Sequence, residues 1–232
     1  MQFVEADAVS LAAFVGILVV VIAMFLLGVY ASTGREANRS AALATTLKAF
    51  GGLSLWLGFL GVMVGSGFIA GQPFPRLWLF FGAANLGGVL LALSPLGRRM
   101  ASTLPLAALV GFQGFRLPLE LVLHHWAAIG TVPETMTWSG QNIDVVSGVA
   151  ALIVAPLAGR WRGAAWAANV IGLCLLVNVA RVAIMSSPLP FAWQLEQPLQ
   201  LAFHLPYAYI LPVCVAGALA GHIILTRRLI SR

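Results

Sequence analysis

Long apolar runs separated by short polar breaks set the pattern of this chain. Seven runs stand at approximately 8–30, 46–70, 77–95, 103–128, 142–159, 164–186 and 201–226. About 20 helical residues cross a hydrocarbon core of roughly 30 Å, and most of these runs are that long. The shortest is the fifth, with 18 residues. The pattern predicts an all-α, polytopic transmembrane bundle of about seven helices in a single membrane domain, residues 1–232.

Composition narrows the class. Hydrophobic residues make up 60% of the chain and charged ones only 9%, against roughly 25% charged in an average soluble domain. A water-soluble fold of this size would lack the polar surface to cover itself. The lipid bilayer is therefore the expected partner. The net charge of +6 does not point to nucleic acid, because the basic residues form no patch.

They recur in the breaks instead. Arg35, Arg39, Arg98, Arg99, Arg160, Arg162, Arg227, Arg228 and Arg232 all fall on one side of a seven-span chain, with Glu36 among them. The other side holds Glu5, Asp7, Arg76, Glu134 and Glu196. Basic residues stay in the cytoplasm, so the count predicts the N-terminus outside and the C-terminus inside. The expected location is a bacterial inner membrane. Trp78, Trp126, Trp138 and Trp193 fall near the predicted outer interface, and Trp161 and Trp166 near the inner one. Trp56 alone sits mid-span. The first run follows Glu5 and Asp7 rather than basic residues, which reads as a span and not a cleaved signal.

Cys174 and Cys214 both lie within runs, so they are expected as buried free thiols. Gly58, Gly61 and Gly65 give the second run a small-residue face for helix packing or a homodimer contact. No internal repeat is present.

Arg116, Glu120, Asp144 and Arg181 lie inside runs. A charge at a helix centre costs about 2.5–3.5 kcal/mol on insertion scales, so each should face the bundle interior with a partner. At about 100° per residue, Gln113, Arg116, Glu120 and His124 fall within roughly 80° of arc. Arg116 and Glu120 are spaced to pair at i and i+4, as are Glu120 and His124. Pro118 removes a backbone donor between them. Asn142 and Asp144 open the fifth run, Asn178 and Arg181 share a face of the sixth, and His204 and Tyr207 share a face of the seventh. These ten residues are the candidate ligand-binding set, a convergence of four helices in the outer half of the membrane. His125 and His222 are placed outside it, His222 because it lies near the inner end of its run.

Glu120, His124, His204 and Asp144 offer metal-type ligands, but no HExxH or paired HxxxH is present and two arginines stand close, so no metal is assigned. Ser139, Ser147, Thr135 and Thr137 supply hydroxyls with no nucleophile-elbow pattern around them. Segments 130–141 and 187–200 are expected as interfacial loops.

The stretches GFRLPLELVLHH, MTWSGQNIDVVSG, NVIGLCLLVNVARVAI and SSPLPF resemble a family of uncharacterised bacterial seven-span inner-membrane proteins over roughly residues 112–226. Arg116, Glu120, His124, Asn142 and Asp144 match its polar positions. NVARVAI with Arg181, and the later His204, are also similar to exosortases, membrane transpeptidases with an outward-facing Cys, Arg and His. Their nucleophilic Cys has no counterpart here, where Asp144 and Ser147 stand. Three functions follow as expectations: binding or transport of a small ligand, a membrane enzyme with Glu120 or His124 as general base, or a scaffold whose polar cluster is structural. No cofactor is indicated.

Overall fold

The computed structural model describes residues 3–34, 38–71 and 73–231. Among these, eight helices and no strands are present. They are α1 (Ala8–Gly34), α2 (Arg39–Gly65), α3 (Pro73–Leu93), α4 (Pro95–Thr103), α5 (Leu106–Ala128), α6 (Val145–Leu157), α7 (Arg162–Ser186) and α8 (Tyr207–Ile230). Six are long and apolar enough to cross a membrane. Arg35, Glu36 and Arg232, part of the charge count, lie outside the described residues.

The ends of the bundle carry opposite chemistry. At one end, Arg162 donates to the Leu229 carbonyl at 2.8 Å, Arg228 to the Ser102 carbonyl at 2.9 Å, and Arg227 to the Ala92 carbonyl. At the other, His125 Nε2 meets Asp7 Oδ2 at 2.8 Å, and the Ala6 N–H donates to the Tyr207 hydroxyl at 3.0 Å. The alternation read from the sequence is thus realised in space as an arginine end and an acidic end.

The fifth run differs from its expected form. Its helix, α6, covers only Val145–Leu157, about 20 Å at helical rise and too short for a full crossing. The rest of the depth belongs to segment 129–144, whose part 130–141, expected as an interfacial loop, descends into the bundle instead. Val132, Met136, Thr137 and Asn142 are buried there. Irregular backbone is tolerated at such depth only when protein surrounds it and its polar groups are satisfied. Here the segment closes its own turns: Thr137 N bonds Glu134 O, Gly140 N and Asn142 N bond Thr137 O, and Gln141 N bonds Thr135 O.

Two helices form the centre. In α5 and α8, 56% and 67% of the most apolar stretch is buried, against 17–22% in α1, α2, α3 and α7. The outer helices are apolar nearly all round because lipid covers them. Close approach of α6 to α5 depends on Gly148, where a Cβ would stand 2.4 Å from the Leu117 nitrogen. α5 tightens into a 3-10 turn over Phe112–Phe115 beside this contact. α8 starts with a π stretch, Ile210–Val215, which holds Pro212. A proline ring clashes with the carbonyl four residues back, and a wider turn relieves that. On α2, Gly61 packs under Tyr209, whereas Gly58 faces open space.

Candidate functional site

Arg116 lies near the middle of α5, ten residues past its start, and is only 2% exposed. Its partner is Asp144 and not the i+4 neighbour Glu120. Nε donates to Asp144 Oδ2 at 2.6 Å, and Nη2 donates to Oδ1. This two-pronged geometry is the strongest arrangement a guanidinium and a carboxylate can make. Nη1 donates to the Gly172 carbonyl of α7 at 3.1 Å and contacts His222 Nε2 of α8 at 3.1 Å.

A guanidinium has donors only, so His222 Nε2 accepts and the ring proton sits on Nδ1. That Nδ1–H donates to Asn169 Oδ1 at 2.9 Å. Asn169 Nδ2 donates to Thr226 Oγ1 at 2.7 Å, and the Thr226 hydroxyl donates to the His222 carbonyl at 2.8 Å. The polarity of the whole chain, Asp144 to Thr226, is fixed by its charged end. Gly172 makes room for it: a Cβ there would stand 2.4 Å from His222 Cε1.

Asn142 joins a second carboxylate to this network. Its Nδ2 donates to both Glu120 oxygens, at 3.0 and 3.1 Å, and to the Met136 carbonyl at 3.0 Å. Its Oδ1 accepts from the Asp144 N–H at 3.1 Å, the two-residue turn typical of Asn. One guanidinium therefore faces two carboxylates. Asp144 takes it, and Glu120, 2% exposed, meets a neutral amide.

Beside this group lies a cavity of about 90 Å³. Arg116, Glu120 and Asp144 line it, with apolar walls that include Trp78, Phe81 and Leu176. Cys214 is buried against it, as expected of both cysteines, but Cys174 departs from that expectation. Cys174 is exposed on α7, where a thiol behaves as a small lipid-facing apolar group. Ser147 Oγ and Gln113 Oε1 are buried without a hydrogen-bond partner. Both line a separate space of about 10 Å³ next to His222. Gln113 Nε2 donates to the Ala218 carbonyl at 3.1 Å, tying α5 to α8.

The remaining candidates stand apart. His124 stacks on Trp138 with centroids 4.0 Å apart, and its Nδ1 has no partner. His204 stacks on Phe3 at 4.0 Å. Burial pushes its imidazole below the usual histidine range, and Glu5 partly opposes this. Tyr207 holds the N-terminal segment through Ala6. Arg181 is exposed. It donates to Asn178 Oδ1 at 3.0 Å and Gln141 Oε1 at 3.1 Å, and its guanidinium lies 5.7 Å from the Trp193 ring. The expected outer-half convergence is thus two groups. The network of Arg116, Glu120, Asn142 and Asp144 sits at mid-depth and extends toward the arginine end through His222, with Gln113 beside it but bonded to Ala218. His124, Asn178, Arg181, His204 and Tyr207 belong to the acidic end.

Sequence reasoning left out His222, Asn169 and Thr226. The i+4 spacing of His222 and Thr226 was the available signal. Among the described residues, no group of three or more His, Cys, Asp or Glu is gathered as a metal site needs. No family model matches this chain, and comparison with curated proteins and with solved structures gives no match.

Proposed function

We propose that this protein binds a small amphipathic ligand in the cavity beside Glu120. The ligand's cationic or hydrogen-bond-donating end meets the carboxylate, and its apolar part meets the surrounding walls. One observation carries the reading: Glu120 is a buried carboxylate that, among the described residues, bonds a neutral amide and no cation, and it lines a cavity. An isolated ionised carboxylate in an apolar interior is costly, so a proton or a cation must neutralise it. Arg116 does not, because Asp144 holds it. The cavity admits only a few heavy atoms, which suits a small head group or a short molecule.

The arginine distribution supports a bacterial inner membrane with the acidic end outward. The likeness of residues 112–226 to bacterial seven-span proteins agrees with that placement. Binding of short alkylammonium ions to the protein in nanodiscs, followed by calorimetry, tests the reading. The wild type should bind one member of the methyl-to-butyl series with saturation, and Glu120→Gln should lose that binding while keeping its unfolding temperature within a few degrees. Equal heats from both proteins would remove the proposal.

A further inference from the structure

A second, larger cavity of about 800 Å³ lies on the other side of α8 from Glu120. Its size is that of a ligand pocket, and its walls are almost wholly apolar. It reaches from Val21 to Ala31 along α1 and from Pro212 to Ile224 along α8. Ten to twelve helical steps are about 15–18 Å, about half of a roughly 30 Å hydrocarbon core. The cavity therefore occupies one leaflet, the one at the arginine end.

Its sides explain how it is entered. α2 packs along α1, and α3 packs along α8, while α2 and α3 meet only sparsely. Trp56, the one mid-span tryptophan, bridges that gap at the deep end. Its ring lies so close to Gly87 that a Cβ there would stand 2.8 Å from Trp56 Nε1. Above Trp56, toward the arginine end, α2 and α3 line the cavity through Ala49, Gly52, Gly88 and Leu91. The roof is α4, whose Leu96 and Met100 face the cavity. Arg98 is exposed on α4, on the face turned away from the cavity, and Lys48 is exposed next to Ala49 on α2, so both stand at the arginine end of the cavity. Among the described residues, no Asp or Glu lies at this end.

We propose that this cavity holds the acyl chains of one anionic phospholipid from the leaflet at the arginine end, with its phosphate beside Lys48 and Arg98. The apolar walls, the one-leaflet depth and the cationic rim each match a different part of that molecule.

The test uses the full chain in nanodiscs of phosphatidylcholine mixed equally with phosphatidylglycerol. The protein is then transferred to delipidating detergent, and native mass spectrometry reads the lipid that remains. The wild type should keep one phospholipid per chain and prefer phosphatidylglycerol. Gly52→Phe should lose it, because Gly52 lines the cavity and a Cβ there meets nothing within 4 Å. Gly58→Phe, on the same helix facing open space, should keep it. The pair Lys48→Glu and Arg98→Glu should retain a lipid with no preference for phosphatidylglycerol. A wild type that retains no phospholipid, or that retains a phosphorus-free apolar molecule, overturns the proposal. So does full retention by Gly52→Phe. An unchanged preference in the charge-reversed pair overturns the head-group assignment. The wild-type preference needs no variant, so a misfolded variant leaves the question decidable.

Discussion

Arg116 Nη1 lies 3.1 Å from His222 Nε2, and this contact joins the two central helices at similar depth. Arg116 is ten residues from the start of α5, and His222 is eight from the end of α8, both counted from the arginine end. The contact makes the histidine an acceptor and so orients every hydrogen bond beyond it.

Removing that acceptor should destabilise the fold. His222→Ala leaves a charged N–H without its partner, a cost of about 1–3 kcal/mol or more. Gly172→Ala should act through the same contact, since its Cβ would displace the ring. The two are predicted to be non-additive, with a coupling of roughly 0.5–3 kcal/mol. Thermal unfolding followed by tryptophan fluorescence measures this, and simple additivity would refute a shared contact.

The Arg116–Asp144 pair should show the asymmetry of a buried ion pair. Arg116→Met alone or Asp144→Leu alone strands a charge, at a cost of about 3–5 kcal/mol. The double variant strands neither and should regain most of the loss. If the double variant is as unstable as the worse single one, the pair does more than neutralise itself.

Helix approach at Gly148 predicts a contrast within one protein. Gly148→Ala places a Cβ 2.4 Å from backbone, an overpacking cost of about 1–3 kcal/mol. Gly58→Ala meets nothing and should be neutral or slightly stabilising through helix propensity. Matched melting curves of the two variants check it.

Acid stability should depend on Asp7 at the acidic end. The Ser10 hydroxyl, the Ser10 N–H and then His125 hold its carboxyl well below the usual carboxylate range. A carboxyl depressed in the folded state stabilises fully above its unfolded value of about 3.9, and that contribution fades as pH falls through the folded value. Asp7→Asn should therefore lose stability relative to wild type at neutral pH, with the gap closing below about pH 4. A gap of constant size across that range counts against the assignment.

How much of the site was legible varies by residue. Arg116 was readable because a charge inside an apolar run must be paired. Its partner was not readable from α5 alone. Glu120 has the i+4 spacing, yet Asp144 holds the guanidinium because segment 129–144 descends into the bundle and Gly148 lets α6 close on α5. His222 was misplaced by a boundary. The last run was read to residue 226, whereas α8 continues to Ile230, and four residues shift depth by about 6 Å. Arg181 shares a face of α7 with Asn178, whereas His204 precedes α8 and shares no helix face with Tyr207; both belong to the acidic end.

The sequence by itself determined the all-helical class and six of the seven expected spans. These follow from composition and helical rise, which act locally. Tertiary structure decided which helices lie at the centre, which carboxylate takes Arg116 and where the two cavities open. Those outcomes depend on how closely backbones approach and on one irregular segment finding its partners inside the bundle, and neither is encoded in any single helix.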